Sequence, residues 1–454
     1  MEPQSAPLFL LLATIKYRLP PRIPGLPLVG NAFQLAGQHP GMWASEMAQK
    51  YGETFTVQFG SKTCVFLNSS RIVTDMLEKG SAIYSSRPEM PLQETKFQPY
   101  QDVESKQLLY EYLHAPDKWH IANARYSDSV IMSVVFGRRA KMEDPELYEL
   151  CEVAKVLGSN LAPGASLADM SAWLAYLPKF LQWWRPYRRK WYLMTLKVYK
   201  RELDPIHEKM ANGVAPPCFA VDLEQTMGKH QLDETSKVFV FGALVEAGSD
   251  TSRTAIGQFL TAAALDPHVV EKAGGCLDEA CGHDAERLPA FQDRDALAYI
   301  KAVVEVLRWR LFIMTGLPRM LIKDDEYERY RFPVGTVFIW NAYGIALSGV
   351  DYDNPLDFVP ERFLNVKLNQ ALKGQWAFGR RVCVGYNVAV GNMWIAIARL
   401  LYCFSFEQGP NSPIDHLRSE WEKASEAPFT VKLTPRSERH RKLIEREGTP
   451  VLDL

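Results

Sequence analysis

Apolar positions recur with two periods along the 454-residue chain. Alternation with period two marks residues 54–59 and 63–68 as short strands, with Gly60-Ser61-Lys62 as the turn of a hairpin. Spacings of three and four mark helices over residues 39–51, 69–79, 102–113, 143–160 and 172–209. Ser69 or Ser70 caps the second of these, and Gly80 closes it. The longest helical pattern spans residues 233–265, opens on acidic residues and stops at Asp266-Pro267. At about 1.5 Å per residue it is roughly 50 Å long, enough to cross a whole domain. Asp293 is expected to cap a helix through Trp309, and residues 386–402 form an apolar helix. Residues 316–319 and 332–340 read as short strands and turns, and 427–436 as a final strand pair before a charged tail. The class implied is mainly α with a minor β part.

Charge and cysteine usage narrow the chemistry. A net charge of -1 gives no electrostatic footprint for nucleic acid. The seven cysteines are scattered without a Cys-x-x-Cys pair, which argues against a zinc ribbon or disulfide framework and fits a reducing compartment. Residues 1–18 carry an apolar run of ten (6–15) followed by Lys16 and Arg18. Spanning a bilayer takes about twenty apolar residues. The run is a shortened anchor, an interfacial segment or a disordered end; weak membrane attachment is the reading preferred. Residues 19–30 are a stiff, proline-rich hinge, and 31–454 form one domain. Within residues 183–192, tryptophans and tyrosines interleave with Arg185, Arg188, Arg189 and Lys190. That pattern suits a membrane interface; nucleic acid and a plain solvated face are the rival readings.

The most distinctive stretch is Trp376-Ala377-Phe378-Gly379-Arg380-Arg381-Val382-Cys383-Val384-Gly385. Gly379 and Gly385 let backbone approach something bulky and flat, and their N–H groups can point at a sulfur. Cys383 precedes a helix start, where the dipole and the two arginines favour thiolate, a fit axial ligand for haem iron. A small buried hydrophobe is the plainer reading of a single cysteine. Ala247-Gly248-Ser249-Asp250-Thr251-Ser252 gathers helix-weakening residues in mid-helix. A local defect there would leave a groove for a diatomic ligand, with Thr251 donating a hydrogen bond to it and Asp250 carrying protons; a capped boundary between two helices is the alternative. Glu305 and Arg308, three apart among valines and leucines, read as a buried pair needing further partners.

These motifs, in this order, resemble the cytochrome P450 family. Trp376 stands for the usual Phe, Ala377 for a common Gly and Val384 for a frequent Pro, while the Gly, Arg and Cys positions are intact. The resemblance implies the cytochrome P450 fold, haem b bound through Cys383, and insertion of one oxygen atom of O2 into a small apolar substrate. It implies Trp376, Gly379, Arg381, Gly385, Ala247, Gly248 and Arg319 as cofactor-binding, Arg381 and Arg319 toward the propionates, and Thr251 with Asp250 as catalytic. Glu305, Arg308 and Arg362 become a structural triad. With no Gly-x-Gly-x-x-Gly after a strand, electrons are expected from an NADPH-cytochrome P450 reductase at the cytoplasmic face of the endoplasmic reticulum. The protein would be a membrane-associated monomer, most like fungal microsomal members of secondary metabolism. One departure stands out. After Ser86-Arg87-Pro88 the long substrate loop and the helix carrying Trp-x-x-x-Arg are missing; four residues after Trp119 lies Asn123, and the next arginine is Arg125. The alternative implied is a truncated or degenerate haem-binding protein of the same fold without monooxygenase turnover.

Overall fold

A computed structural model describes the chain apart from residues 1–17, 28–29, 36–39, 60–61, 81–96, 143, 147, 151, 154–155, 157–173, 175, 227–232, 312, 365–382, 410–412 and 416–426. The short N-terminal apolar run therefore lies outside the described residues. Among them, no helix is long and apolar enough to cross a membrane.

The proline-rich stretch is stitched to a sheet: Thr56 N–H donates to the Pro21 carbonyl at 2.8 Å, and Ile23 N–H to Thr56 at 2.9 Å. Proline lacks a donor but keeps its carbonyl, so it suits this edge position. The expected hinge is thus, in this part, folded body. Helix α1 (Pro40–Tyr51) leads to β1 (Thr54–Phe59) and β2 (Lys62–Leu67), paired antiparallel from Thr54↔Leu67 to Phe59↔Lys62. Helix α2 (Ser70–Val73) opens on Ser69, whose side chain accepts from Ile72 N–H, then widens into a π turn (Thr74–Lys79) before Gly80.

Helices α3 (Gln98–His114) and α4 (Trp119–Phe136) follow, then α5 (Trp184–Ala211) and α6 (Phe219–Thr226). The expected helix over 172–209 begins only at Trp184, because Pro178 is extended and a single 3-10 turn (Lys179–Leu181) intervenes. Helix α7 (Glu234–Leu265) is the centre of the molecule, and α4 packs along it. Asp233 caps it, accepting from Ser236 N–H at 2.7 Å, and Pro267 starts α8 (Pro267–Cys281). Glycines set the approach of its neighbours. A Cβ on Gly242 would fall 2.0 Å from the Tyr199 ring of α5, and one on Gly248 2.7 Å from Ile131 of α4.

Asp293 does not cap the next helix. Its carboxylate is claimed by Ala290 N–H and Arg287, and α9 (Ala298–Ala302) starts later, passing through a 3-10 turn (Val303–Glu305) into α10 (Val306–Trp309). Strands β3 (Arg319–Met320), β4 (Asp325–Tyr327), β5 (Tyr330–Phe332) and β6 (Val337–Trp340) come next. The main sheet has the order β1-β2-β6-β3, with β6 parallel to β2, and β4 pairs with β5. After α11 (Ala342–Ala346), the apolar α12 (Tyr386–Cys403) runs through the core beside Leu260, Phe259 and Leu108. Strands β7 (Phe404–Gln408) and β8 (Val431–Pro435) pair antiparallel. The charged tail is a helix, α13 (Glu438–Gly448), capped by Ser437 and burying His440, Leu443 and Ile444 against the body. Its buried positions are three and four apart, which marks one helix face among the charges.

Candidate active site

Helix α7 is buried on most of its middle, with one open stripe. Ala243 and Ala247 are exposed and Thr251 half-buried, at i, i+4 and i+8, while Val245, Glu246, Ser249, Asp250 and Ser252 beside them are buried. A row of small, exposed side chains in mid-helix fits the wall of a site. The helix runs unbroken through it, so the defect expected from sequence is not a break in the ladder. Instead the Thr251 hydroxyl donates to the Ala247 carbonyl at 2.7 Å, the back-bond by which threonine loosens a helix. Gly248, grouped with Ala247 by sequence, turns its bare Cα to Ile131 of α4 and serves helix packing.

Behind the stripe lies a set of carboxyls of which sequence reading found Asp250 but missed Glu246 and Asp128. Asp250 accepts from Arg253 Nε at 2.9 Å. Glu246 accepts from the Tyr199 hydroxyl at 2.6 Å, and burial pushes its carboxyl up to about 7. Asp128 of α4 is 2% exposed; burial, with Asp250 nearby, pushes it up to about 8, opposed by Arg253 and a hydrogen bond with Ser249. Glu246 and Arg253 stand four before and three after Asp250, so helical spacing could have found them. Nothing local announces Asp128, whose partners are on another helix.

Cys383 lies just before α12, with its residue exposed. Among the described residues, a Cβ on Gly385 would have the Cys383 sulfur as its neighbour, at 4.0 Å, and the Gly385 N–H faces that sulfur. Enclosure by neighbouring chain nevertheless pushes the free thiol up, opposite to the expected direction. The arginines invoked for lowering it, Arg380 and Arg381, lie outside the described residues, as do Trp376, Ala377 and Gly379. Arg319 is 6% exposed: it donates to the Leu77 carbonyl at 3.2 Å, with its guanidinium 5.3 Å from the Trp340 ring centre.

The triad assembles. Arg308 Nε lies 3.0 and 2.9 Å from the Glu305 carboxylate oxygens, and its Nη atoms donate to the Ala346, Pro355 and Asp357 carbonyls. Arg362 Nε is 3.4 Å from Glu305 Oε1. Burial pushes Glu305 up while both arginines pull it down. By contrast, Trp119 packs on Phe429 at 5.0 Å, Asn123 accepts from Tyr112, and Arg125 pairs with Glu104 and Glu111. All three are consumed in the core, in agreement with the reading that they replace no Trp-x-x-x-Arg helix.

The model for the family Cytochrome P450 matches residues 20–106 and 123–428. The chain belongs to the cytochrome P450 family. It is a P450 monooxygenase, as the motifs imply. Cytochrome P450 monooxygenase verL of Clonostachys rogersoniana is 31% identical, covering 95% of this chain and 89% of the relative. Cytochrome P450 monooxygenase 58 of Postia placenta is 30% identical over 94% and 90%, and fogE of Aspergillus ruber 27% over 96% and 90%. The alignment with verL is 492 positions long against a chain of 454, so that P450 carries residues with no counterpart here. The residues present fit a haem: a lone open thiol with a glycine N–H on its sulfur, a stripe of small side chains, and a buried guanidinium suited to a carboxylate.

Proposed function

We propose that this P450 holds haem b through Cys383, inserts one oxygen atom of O2 into a small apolar substrate, and draws electrons from an NADPH-dependent reductase at a membrane surface. The open stripe of Ala243, Ala247 and Thr251 on an otherwise buried helix carries the reading. Haem supplies activation of O2. The chain's own residues do the rest. The small stripe leaves room for O2 and for a substrate placed by apolar contact. Thr251 turns its hydroxyl from the Ala247 carbonyl to donate within the site, and Asp250, released from Arg253, passes a proton toward Thr251. Arg319, with Arg381, holds the propionates. Gly385 keeps an N–H on the sulfur, Glu305, Arg308 and Arg362 lock the core beneath, and the protein works as a monomer in fungal secondary metabolism.

A carbon monoxide difference spectrum of the reduced recombinant protein tests this. A thiolate-type Soret band, lost in Cys383→Ala, is expected; failure to take up haem would sink the proposal. A second reading has one observation in its favour. Gly80 ends the π turn and Gln98 begins α3, which leaves no room for both a long substrate loop and a three-turn helix. In that reading the chain binds haem without turnover, so the Soret band appears but no NADPH-dependent product forms with any substrate that shifts it.

A further inference from the structure

Cys383 stands just before α12, so the place of its sulfur follows that of the first turn of this helix. Gly385 links the two. Its N–H faces the Cys383 sulfur, and its carbonyl accepts from Ala389 N–H at 2.8 Å. The peptide group that carries the Ala389 N–H also carries the Val388 carbonyl, and that carbonyl accepts from Gln101 Nε2 at 2.9 Å. Gln101 lies near the start of α3 and is 1% exposed. Helix α12 makes room for it: a Cβ on Gly391 would fall 3.0 Å from Gln101 Oε1. The backbone of α3 is fixed at the same place, since the Ser105 hydroxyl donates to the Gln101 carbonyl at 2.6 Å and accepts from Arg399 of α12 at 2.6 Å. Burying a primary amide costs free energy unless it is hydrogen-bonded. An apolar side chain of the same size would pack α3 on α12 without that cost. What the amide adds is a fixed point on the Val388–Ala389 peptide.

We propose that Gln101 is a positioning residue for the Cys383 sulfur, acting through the Val388–Ala389 peptide and Gly385. The inference rests on the assignment given above to Cys383. Gln101 holds the peptide, the peptide holds the Gly385 carbonyl, and Gly385 so held keeps its N–H on the sulfur. A hydrogen bond on sulfur draws electron density from it, which sets how strongly the ligand favours oxidised iron. Without the Gln101 bond the first turn of α12 frays as helix ends do, and the N–H spends part of its time away from the sulfur. Tyr126 of α4 gives a comparison on the same helix. It is buried, and its hydroxyl donates to the Asn392 carbonyl at 2.8 Å, one turn beyond Val388. It fastens α12 as Gln101 does, at a point one turn further from Gly385.

Gln101→Met keeps the reach of the side chain and removes the donor. In the haem-loaded protein, Q101M should keep the carbon monoxide band and shift the ferric–ferrous equilibrium about tenfold toward ferric iron, a potential about 59 mV lower for a one-electron couple. Gly391→Ala pushes the carboxamide aside with every hydrogen-bonding group still present, and should shift the equilibrium in the same direction. The double variant should shift no further than Q101M, because both act on one bond. Tyr126→Phe should lower Tm as Q101M does and leave the potential unchanged. In the haem-free full chain, amide exchange over residues 384–390 should be about tenfold faster in Q101M and G391A and parent-like in Y126F. A parent-like potential in Q101M, or in G391A where Q101M does not accumulate, would overturn the proposal. An equal shift in Y126F would also overturn it, by showing that any loosening of α12 has the same effect. A parent chain that took up no haem would instead defeat the assignment of Cys383, and the exchange rates would still decide whether Gln101 fixes the turn.

Discussion

The Thr251 hydroxyl donates to the Ala247 carbonyl at 2.7 Å, one turn back on the same helix. The hydroxyl to which the proposed mechanism gives proton delivery is thus held inside α7 until something in the site offers a better acceptor. Thr251→Ala removes the donor and changes little else, since the neighbouring carbonyl opens onto the site and can be hydrated. Haem content and the carbon monoxide band should be unchanged, while NADPH consumption is diverted to peroxide and product per NADPH falls about tenfold or more. Product and peroxide assayed on the same sample check this, and Thr251→Ser should recover much of the coupling. Retained normal coupling in T251A would remove Thr251 from proton delivery.

The lock of Glu305, Arg308 and Arg362 predicts a different kind of loss. Glu305 is 0% and Arg308 1% exposed, and Arg308 also satisfies three carbonyls. Removing one partner strands a buried charge at about 3–5 kcal/mol, a large part of a domain's stability. Arg308→Ala and Glu305→Ala should therefore give little soluble protein. Arg362→Ala, which loses a 3.4 Å ion pair, should fold with a lowered Tm. Yields and thermal melts of the three variants separate these outcomes.

What could be read from the sequence was local. The hairpin expected at 54–59 and 63–68 and found at 54–59 and 62–67, the 69–80 segment with its Ser69 cap and the long central helix follow from periodicity and capping, which act over a few residues. The Glu305–Arg308 pair was legible because both members share one turn. Asp128 was not, because its burial and partners are set by α4 lying on α7. Pro178 and Asp293 misled at helix starts: the first interrupts a pattern that hydrophobic spacing alone continues, and the second spends its cap on Arg287. The tail after Ser437 was taken for its charge, while Leu443 and Ile444 decided its packing.

Burial of Asp128 and Glu246 gives stability a pH dependence of definite sign. A carboxyl that binds its proton more tightly in the folded than in the unfolded chain favours folding at low pH and loses that advantage as pH rises through its folded value. Asp128 goes from 3.8 to about 8 and Glu246 from 4.5 to about 7. These two groups should therefore make stability fall between about pH 4 and pH 8, each by at most about 1.4 kcal/mol per pH unit. D128N should flatten the fall, gaining on the parent at pH 8 relative to pH 5. Thermal melts across that range decide it; identical pH profiles would mean that Asp128 is ionised in the fold.

Phe180, Trp183 and Tyr187 are 84%, 64% and 53% exposed around the start of α5, with Arg185, Arg188, Arg189 and Lys190 on the same stretch. Aromatic rings beside cations suit the headgroup level of an anionic bilayer. The full chain should sediment with vesicles containing phosphatidylserine more than with phosphatidylcholine alone. Phe180→Ala with Trp183→Ala should weaken that binding about tenfold without altering the carbon monoxide band, a drop of about 1.4 kcal/mol. Undiminished binding by the double variant would place the attachment elsewhere, with residues 1–18 the next segment to remove.

If Arg319 holds a propionate as proposed, it carries more weight here than in a P450 with a Trp-x-x-x-Arg helix. Its guanidinium is fixed by the Leu77 carbonyl at 3.2 Å and by the Trp340 ring, so it is presented in one orientation from the edge strand β3. Among the described residues, Trp119 and Arg125 are spent in the core and offer the propionates nothing. A charge-assisted hydrogen bond is worth about 1.5–3 kcal/mol, equivalent to roughly 10–100-fold in release rate. Arg319→Leu should therefore still form the thiolate band on reconstitution but lose haem to an apo-globin acceptor that much faster. Arg319→Lys should fall between, because a point charge replaces a planar fork. Without haem the same variants should melt lower than the parent, since the Leu77 carbonyl bond and the Trp340 ring contact go with the guanidinium, so release rates are compared at a temperature where every variant is folded. A haem release rate unchanged in R319L would show that the guanidinium serves β3 and Trp340 alone, and that the propionates are held from the 365–382 segment.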